Sequence, residues 1–305
     1  EWWYFTGNLE QEDGRRFGYQ LTQFRIGLQP PAARTDSAWR SQALYMGHLA
    51  VSDIAEQRHY SEERFSRAAA GLAGAEMSPL KVWLGPWSIE GEQKDTFPIN
   101  LKAAGDEVSI NLRLAQGDKP VVLQGDRGLS QKGAQEGNAS YYYSHTRLPT
   151  QGTITVGKND YVVQGNSWFD REWSSSALDE TQQGWDWFAL QLDDGRDLMF
   201  YRMRGKDGSA QHFSKGVLVD ADGRVEPLTL DNTRLRSISS WSSPLGVHYP
   251  LEWSISIPHR QIDLRVRAVF ENQEMLHSVH YWEGAVEVSG SQRGRGYLEL
   301  SGYAQ

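Results

Sequence analysis

The stretch Glu1-Trp2-Trp3-Tyr4-Phe5-Thr6-Gly7-Asn8-Leu9-Glu10-Gln11 returns, blurred, as Trp185-Asp186-Trp187-Phe188-Ala189-Leu190-Gln191-Leu192. Aligning Trp2 with Trp185 sets Tyr4 on Trp187, Phe5 on Phe188 and Leu9 on Leu192, and two residues of slack bring Asp13-Gly14-Arg15 onto Asp194-Gly195-Arg196. Beyond that turn, the apolar stretches ending at Phe24-Arg25 and Met203-Arg204 correspond. A second pair keeps the order: Gly152 to Val156 followed by Tyr161 to Gly165 reads like Gly284 to Val288 followed by Tyr297 to Gly302. Aromatic-rich hairpins can resemble one another by chance, but two collinear matches with a shared Asp-Gly-Arg turn point to internal duplication. The offset between copies falls from 183 at the first match to 132 at the second, so the first copy carries about 51 extra residues, expected as loops.

A chain of 305 residues is longer than one hydrophobic core usually serves, so two domains are expected, 1–167 with loop insertions and 168–305. Twelve Trp, 13 Tyr and 30 Gly, with little helix-type apolar spacing, favour twisted sheets and an all-β fold. A net charge of -8 without a long basic run argues against nucleic acid as a partner, because phosphate binding needs clustered Lys and Arg. Without cysteine there is no disulfide, thiolate metal site or cysteine nucleophile in the chain. No run of eighteen apolar residues reads as a membrane-spanning helix, which leaves at most a peripheral membrane contact.

Alternation predicts strands over Trp3 to Leu9 and Phe17 to Ile26, forming a long hairpin, and another over Leu44 to Val51. The prolines of Gln29 to Ser37 predict a loop, and Glu56 to Ala75 is the one region expected to hold a short helix, weakened by Gly71 and Gly74. These two stretches are the expected insertions. Short apolar runs from Leu80 to Leu123 suit a meander or closed barrel, and Asp194-Gly195 and Asp222-Gly223 supply tight-turn chemistry. Trp168 to Gly184, joining the copies, lacks a spacer's composition and is expected to pack between the domains.

The densest chemistry lies in Gly165-Asn166-Ser167-Trp168-Phe169-Asp170-Arg171-Glu172-Trp173, where charges sit among large aromatics. A carboxylate desolvated by aromatics can hold a proton and donate it; beside a guanidinium it stays ionised and structural. Asp170 is therefore either a catalytic acid or half of an ion pair with Arg171, and Glu172 is open to an arginine pair as well. The eight histidines have no metal-ligand spacing, so no metal is expected, and His48 and His145 read as polar groups in a barrel mouth or as satisfied core residues. Neither a nucleophile elbow nor a nucleotide fingerprint occurs, and no cofactor is expected. The tryptophans taken together suit a cavity for a long hydrophobic ligand.

Glu1-Trp2-Trp3-Tyr4-Phe5-Thr6-Gly7, Trp168-Phe169-Asp170-Arg171-Glu172-Trp173 and Gly184-Trp185-Asp186-Trp187-Phe188 resemble the AttH-like family, which includes the carotenoid 1,2-hydratases. Tyr281-Trp282-Glu283-Gly284 and Gly296-Tyr297-Leu298-Glu299-Leu300 extend the resemblance through the second half, and Arg171-Glu172-Trp173-Ser174 is more similar to the AttH branch than to the carotenoid enzymes. The resemblance implies two tandem lipocalin-like β-barrel domains with a hydrophobic ligand, a carotenoid, isoprenoid or lipid, near their junction. Asp170 matches the aspartate that, in the hydratases, protonates an alkene to a tertiary carbocation captured by water. Trp168, Tyr143 and Trp185 would face the cation, and Trp3, His48, His145, Arg171 and Trp282 complete the expected substrate-binding set.

Relatives are often exported, so a periplasmic or secreted location is expected. Three readings follow: a cofactor-free hydratase acting as a lyase in carotenoid-type biosynthesis, a non-enzymatic lipocalin-like carrier, and a secreted hydrolase.

Overall fold

A computed structural model describes residues 1–28, 41–94, 96–135, 137–174 and 178–304. Among these the chain is all-β, with a single 3-10 turn at Pro258–Arg260. Thirteen strands make one sheet: β1 (Trp2–Glu10), β2 (Arg16–Gly27), β3 (Ala43–Asp53), β4 (Arg58–Arg67), β5 (Ala73–Met77), β6 (Leu80–Leu84), β7 (Trp87–Gly91), β8 (Ile99–Ala104), β9 (Val108–Leu114), β10 (Val122–Leu123), β11 (Leu129–Gln131), β12 (Ala139–Val156) and β13 (Asn159–Ser174). Ten make the other: β14 (Gln182–Leu192), β15 (Asp197–Gly205), β16 (Lys215–Val219), β17 (Val225–Thr229), β18 (Arg234–Ser242), β19 (His248–Ile257), β20 (Ile262–Ala268), β21 (Glu274–Leu276), β22 (His280–Gly290) and β23 (Gly294–Ser301).

The strand orders show the duplication directly. The first sheet runs β4-β3-β2-β1-β13-β12-β9-β8-β7-β6-β5 and the second runs β17-β16-β15-β14-β23-β22-β20-β19-β18. Nine positions correspond in sequence order, and β6-β5 extend the first sheet beyond its counterpart. The paired residues agree too: Trp2 faces Phe24 across β1 and β2, and Trp185 faces Met203 across β14 and β15. At both hairpin tips an aspartate carboxylate accepts the N–H of the arginine two residues on, at 3.0 Å for Asp13–Arg15 and 3.1 Å for Asp194–Arg196. Two lipocalin-like β-barrel domains arranged in tandem follow from this repeat.

By contacts the chain divides into two units, one of Glu1–Val51, Tyr60–Gly117 and Leu148–Arg171, the other of Ser52–His59, Asp118–Arg147 and Glu172–Gln305. In the second unit the core is a cluster including Phe188, Phe200, Leu218, Trp253, Ile255, Val266, Trp282 and Leu298, all fully buried. In the first unit Phe5 stacks on Phe169 with ring centroids 4.2 Å apart, and Trp3, Leu9, Phe17 and Leu21 are likewise buried. Apolar side chains at alternate positions account for these faces, since successive residues of a strand point to opposite sides.

The short helix expected within Glu56 to Ala75 is absent. Arg58–Arg67 is strand β4, and β5 begins at Ala73. Gly71 turns the chain at φ +72°, and a Cβ on Gly74 would collide with the Trp83 indole. The extra material of the first copy includes the β5-β6 hairpin, which lies further along than predicted; Gln29 to Ser37 falls outside the described residues. Trp168 to Gly184 is no spacer either, because β13 continues to Ser174 and β14 starts at Gln182.

Candidate active site

Strand β1 is buried on both sides, from Trp3 through Leu9. Its odd-numbered residues join the apolar core, which leaves Tyr4, Thr6 and Asn8 on the other face. The contacts Arg171 over Trp3, Phe169 on Phe5 and a Gly7 Cβ position next to Ser167 step in opposite directions along β1 and β13. The two strands are therefore antiparallel, with Tyr4 beside Asp170 and Thr6 beside Trp168. Across β2, Tyr4 faces Thr22 and Thr6 faces Gln20. Two rows result on one face of the first unit: Asp170, Tyr4, Thr22, and Trp168, Thr6, Gln20.

This face is polar although it is dry. Asp170 is 3% exposed, and Thr6, Gln20 and Thr22 are 1% exposed each. The Trp168 indole N–H donates to Asp170 Oδ1 at 2.7 Å, an i, i+2 bond on one side of β13 that fixes the carboxyl's direction. Gln20 Nε2 donates to the Thr22 hydroxyl, and the Gln20 Oε1 atom is buried without a partner. His48, on β3, is fully buried with Nε2 3.0 Å from Glu63 Oε1 and its ring edge-on to Phe24 at 5.5 Å. Because Phe24 faces Trp2, His48 belongs to the Asp170 face.

Arg171 points the other way. Its guanidinium lies 4.0 Å from the Trp3 ring centroid, bridges to the Glu1 carboxylate and donates to the Trp2 carbonyl at 3.3 Å. Of the two alternatives for Asp170, the ion pair with Arg171 is disfavoured by alternation, since neighbours in a strand face opposite sides. Glu172 pairs with Lys132 at 3.3 Å. Trp3 sits in the first unit's apolar core, 1% exposed.

The remaining sequence candidates lie in the second unit. Tyr143 and His145 touch edge-to-face at 5.9 Å, and Tyr143 also meets Trp173 at 6.3 Å. Burial pushes the His145 imidazole down to about 4. Trp185 donates to Glu299 Oε1 at 2.8 Å. Trp282 is fully buried in the core cluster and donates to the Glu271 carbonyl at 2.7 Å.

Sequence reasoning passed over three features. Gln20, Thr22 and Thr6 carried no motif; their signal was polar residues at alternate positions opposite an apolar face. Glu299 stands where Asp170 stands in the first copy, since Trp187 pairs with Glu299 as Tyr4 pairs with Asp170, and Glu283 pairs with Glu299 on its other side. Ser52 and the half-buried His59 form a pair, Oγ to Nδ1 at 3.0 Å, but Ser52 donates its proton to Gln273 Oε1 at 2.8 Å, so His59 is not its base. No group of three or more His, Cys, Asp or Glu among the described residues is placed to hold a metal. No helix among them is long and apolar enough to cross a membrane.

Fold and site together define a tandem lipocalin-like β-barrel protein with a buried carboxyl on a polar, aromatic-flanked face. The chain belongs to the AttH-like family, whose pattern it matches over residues 1–303. A candidate AttH protein from Nitrosomonas europaea is similar at 32% identity over 99% of this chain and 92% of that one, with a TM-score of 0.88. Kievitone hydratase from Nectria haematococca matches at 15% identity over 98% and 88% of the two chains, TM-score 0.78. CghA matches at 12% identity over 100% and 89%, TM-score 0.58. At those two lower identities the likeness is one of fold. No curated protein matches the chain.

Proposed function

We propose that the protein is a cofactor-free enzyme of the hydratase type, adding water across an isoprenoid or polyene double bond with Asp170 as the acid. One observation carries this reading: a carboxyl 3% exposed, set on a face with Tyr4 and Trp168 and oriented by the Trp168 indole N–H on Oδ1. Burial disfavours a carboxylate, which suits a proton donor. That a kievitone hydratase shares the fold adds support.

In the step envisaged, the Asp170 proton goes to one alkene carbon, the π pair forms the new C–H bond, and the other carbon becomes a tertiary cation. Trp168 and Tyr4 lie beside the carboxyl on the same face, and the negative π face of an aromatic ring stabilises such a cation. Water adds through oxygen, and the proton it sheds returns to the Asp170 carboxylate, so the product differs from the substrate by one water.

The test is to incubate the protein with acyclic carotenoids and isoprenoid alkenes while following product mass and tryptophan fluorescence. A gain of one water, reduced roughly 10²–10⁴-fold in Asp170→Asn, is expected for loss of a general acid. Quenching without any mass change would instead make the protein a carrier, and hydration undiminished in a folded Asp170→Asn would remove the acid from the mechanism.

A further inference from the structure

The face that holds Asp170 carries more polar groups than protonation of a hydrocarbon requires. Thr6, Gln20 and Thr22 are each 1% exposed, and the Gln20 Oε1 acceptor is buried unpartnered. A buried acceptor without a donor is a standing penalty, so its retention calls for a reason.

The second copy shows that the fold is not that reason. Its β14-β15 hairpin repeats the β1-β2 pairing, with Trp187 opposite Tyr201 and Ala189 opposite Met199 where the first copy has Tyr4 opposite Thr22 and Thr6 opposite Gln20. The same sheet is therefore built with alanine and methionine at the positions of Thr6 and Gln20. Ala189 and Met199 are buried at 2% and 0%, so the contrast is not one of exposure.

On the reading of Asp170 as the acid, we infer that Gln20, with Thr6 and Thr22, is an oxygen-recognising subsite, and that the substrate is an oxygenated alkene rather than a hydrocarbon. The Gln20 Oε1 atom accepts from a substrate hydroxyl. The Thr22 hydroxyl, already accepting from Gln20 Nε2, has its own proton to give to a second lone pair on the substrate. The spacing follows from the sheet. Gln20 and Thr22 lie two strands from Asp170, about 10 Å at one strand separation of roughly 4.8 Å. A phenol, alcohol or enol separated from a trisubstituted double bond by that distance fits. An acyclic hydrocarbon would leave the acceptor dry.

The experiment compares farnesol with the hydrocarbon lacking only its hydroxyl, reading both binding by tryptophan quenching and hydration by mass. Wild type is expected to favour farnesol by roughly ten- to hundredfold in affinity and in kcat/KM, the scale for one hydrogen bond to a group otherwise left buried and unpaired. The Thr6→Ala/Gln20→Met double variant, which copies the second repeat and so keeps a sheet already known to form, should close that gap. A preference unchanged in the variant would mean that solvent serves Gln20, and would overturn the subsite. Equal or better binding of the hydrocarbon by wild type would overturn it as well, as would binding of neither. Farnesol bound in preference but never hydrated would leave the subsite standing and sink the hydratase reading instead.

Discussion

The two copies use the same nine strand positions but put different chemistry on the matching face. In the first, Asp170 is fixed by Trp168 from its own strand, lies beside Tyr4, and shares its face with Thr6, Gln20 and Thr22. In the second, Glu299 takes its indole N–H from Trp185 on the adjacent strand and neighbours Trp187, Ala189, Met199 and Tyr201. Each copy thus keeps a carboxyl held by a tryptophan, but at the matching β1-β2 positions only the first places Thr6, Gln20 and Thr22. The contrast separates what the fold needs, an apolar face and a hairpin, from what it merely tolerates. If catalysis were spread evenly over the repeat, Asp170→Asn and Glu299→Gln would lower kcat alike. We expect roughly a 10²–10⁴-fold loss for the first and less than about tenfold for the second. Comparable losses would break the contrast and assign acid chemistry to both copies.

The opposite faces differ as well, where Trp3 and Asp186 are equivalent. Trp3 is covered by the Arg171 guanidinium, whereas Asp186, fully buried, binds Arg204 at 2.6 Å, Arg202 at 2.7 Å and the Tyr303 hydroxyl at 2.7 Å. Removing one partner of such a cluster leaves two arginines uncompensated in a dry site. Asp186→Asn should destabilise by about 3–5 kcal/mol, read from the urea midpoint. Trp3→Phe keeps a ring under Arg171 and should cost about 1 kcal/mol. If both substitutions cost the same, the charge at Asp186 is not a structural requirement.

How far the sequence revealed this depends on the residue. The repeat was legible because Trp2, Tyr4 and Phe5 and the Asp-Gly-Arg turn are bulky or conformationally demanding residues that leave a pattern at fixed spacing. Strand alternation was legible for the same reason. The bond from Trp168 to Asp170 was not, because adjacency in sequence draws attention to Arg171 while the strand's two-residue period puts Trp168 on the same side. Gln20 was silent: a lone glutamine in a strand says nothing until the opposite face is known to be the core. Glu56 to Ala75 read as helical because alanines cluster there, a weak propensity overruled by sheet pairing and by Gly71 at φ +72°.

Two histidines make a further contrast. His48 faces the Glu63 carboxylate, while His59 meets the Ser52 hydroxyl and, 3.4 Å from Nε2, the Met275 sulfur. Burial, then the neighbouring His277, pushes His59 from 6.5 down to about 3. The folded protein therefore binds fewer protons here than the unfolded chain. Stability from this group is complete above about pH 6.5 and is lost as pH falls towards 3, by at most about 1.4 kcal/mol per pH unit. His59→Gln should flatten the acid limb of a urea-midpoint profile between those values; an unaltered slope would mean that His59 titrates normally.

The smallest effect tests the repeat itself. Gly14 and Gly195 both sit at φ +87°, each following the aspartate that caps its turn, and each donates its N–H back across that turn, to Gln11 at 3.0 Å and Leu192 at 3.1 Å. An alanine in that left-handed region is strained at either site, by about 1 kcal/mol. The surroundings are not identical: nothing lies within 4 Å of a Cβ at Gly14, whereas one at Gly195 would stand 3.3 Å from the Ala221 methyl. Gly14→Ala and Gly195→Ala should therefore lower stability by nearly equal amounts, with the second a few tenths of a kcal/mol worse. A large difference between them in thermal or urea midpoints would show that the Lys119 and Arg147 side chains, which donate to the Gly195 and Leu192 carbonyls of the second turn, decide its stability.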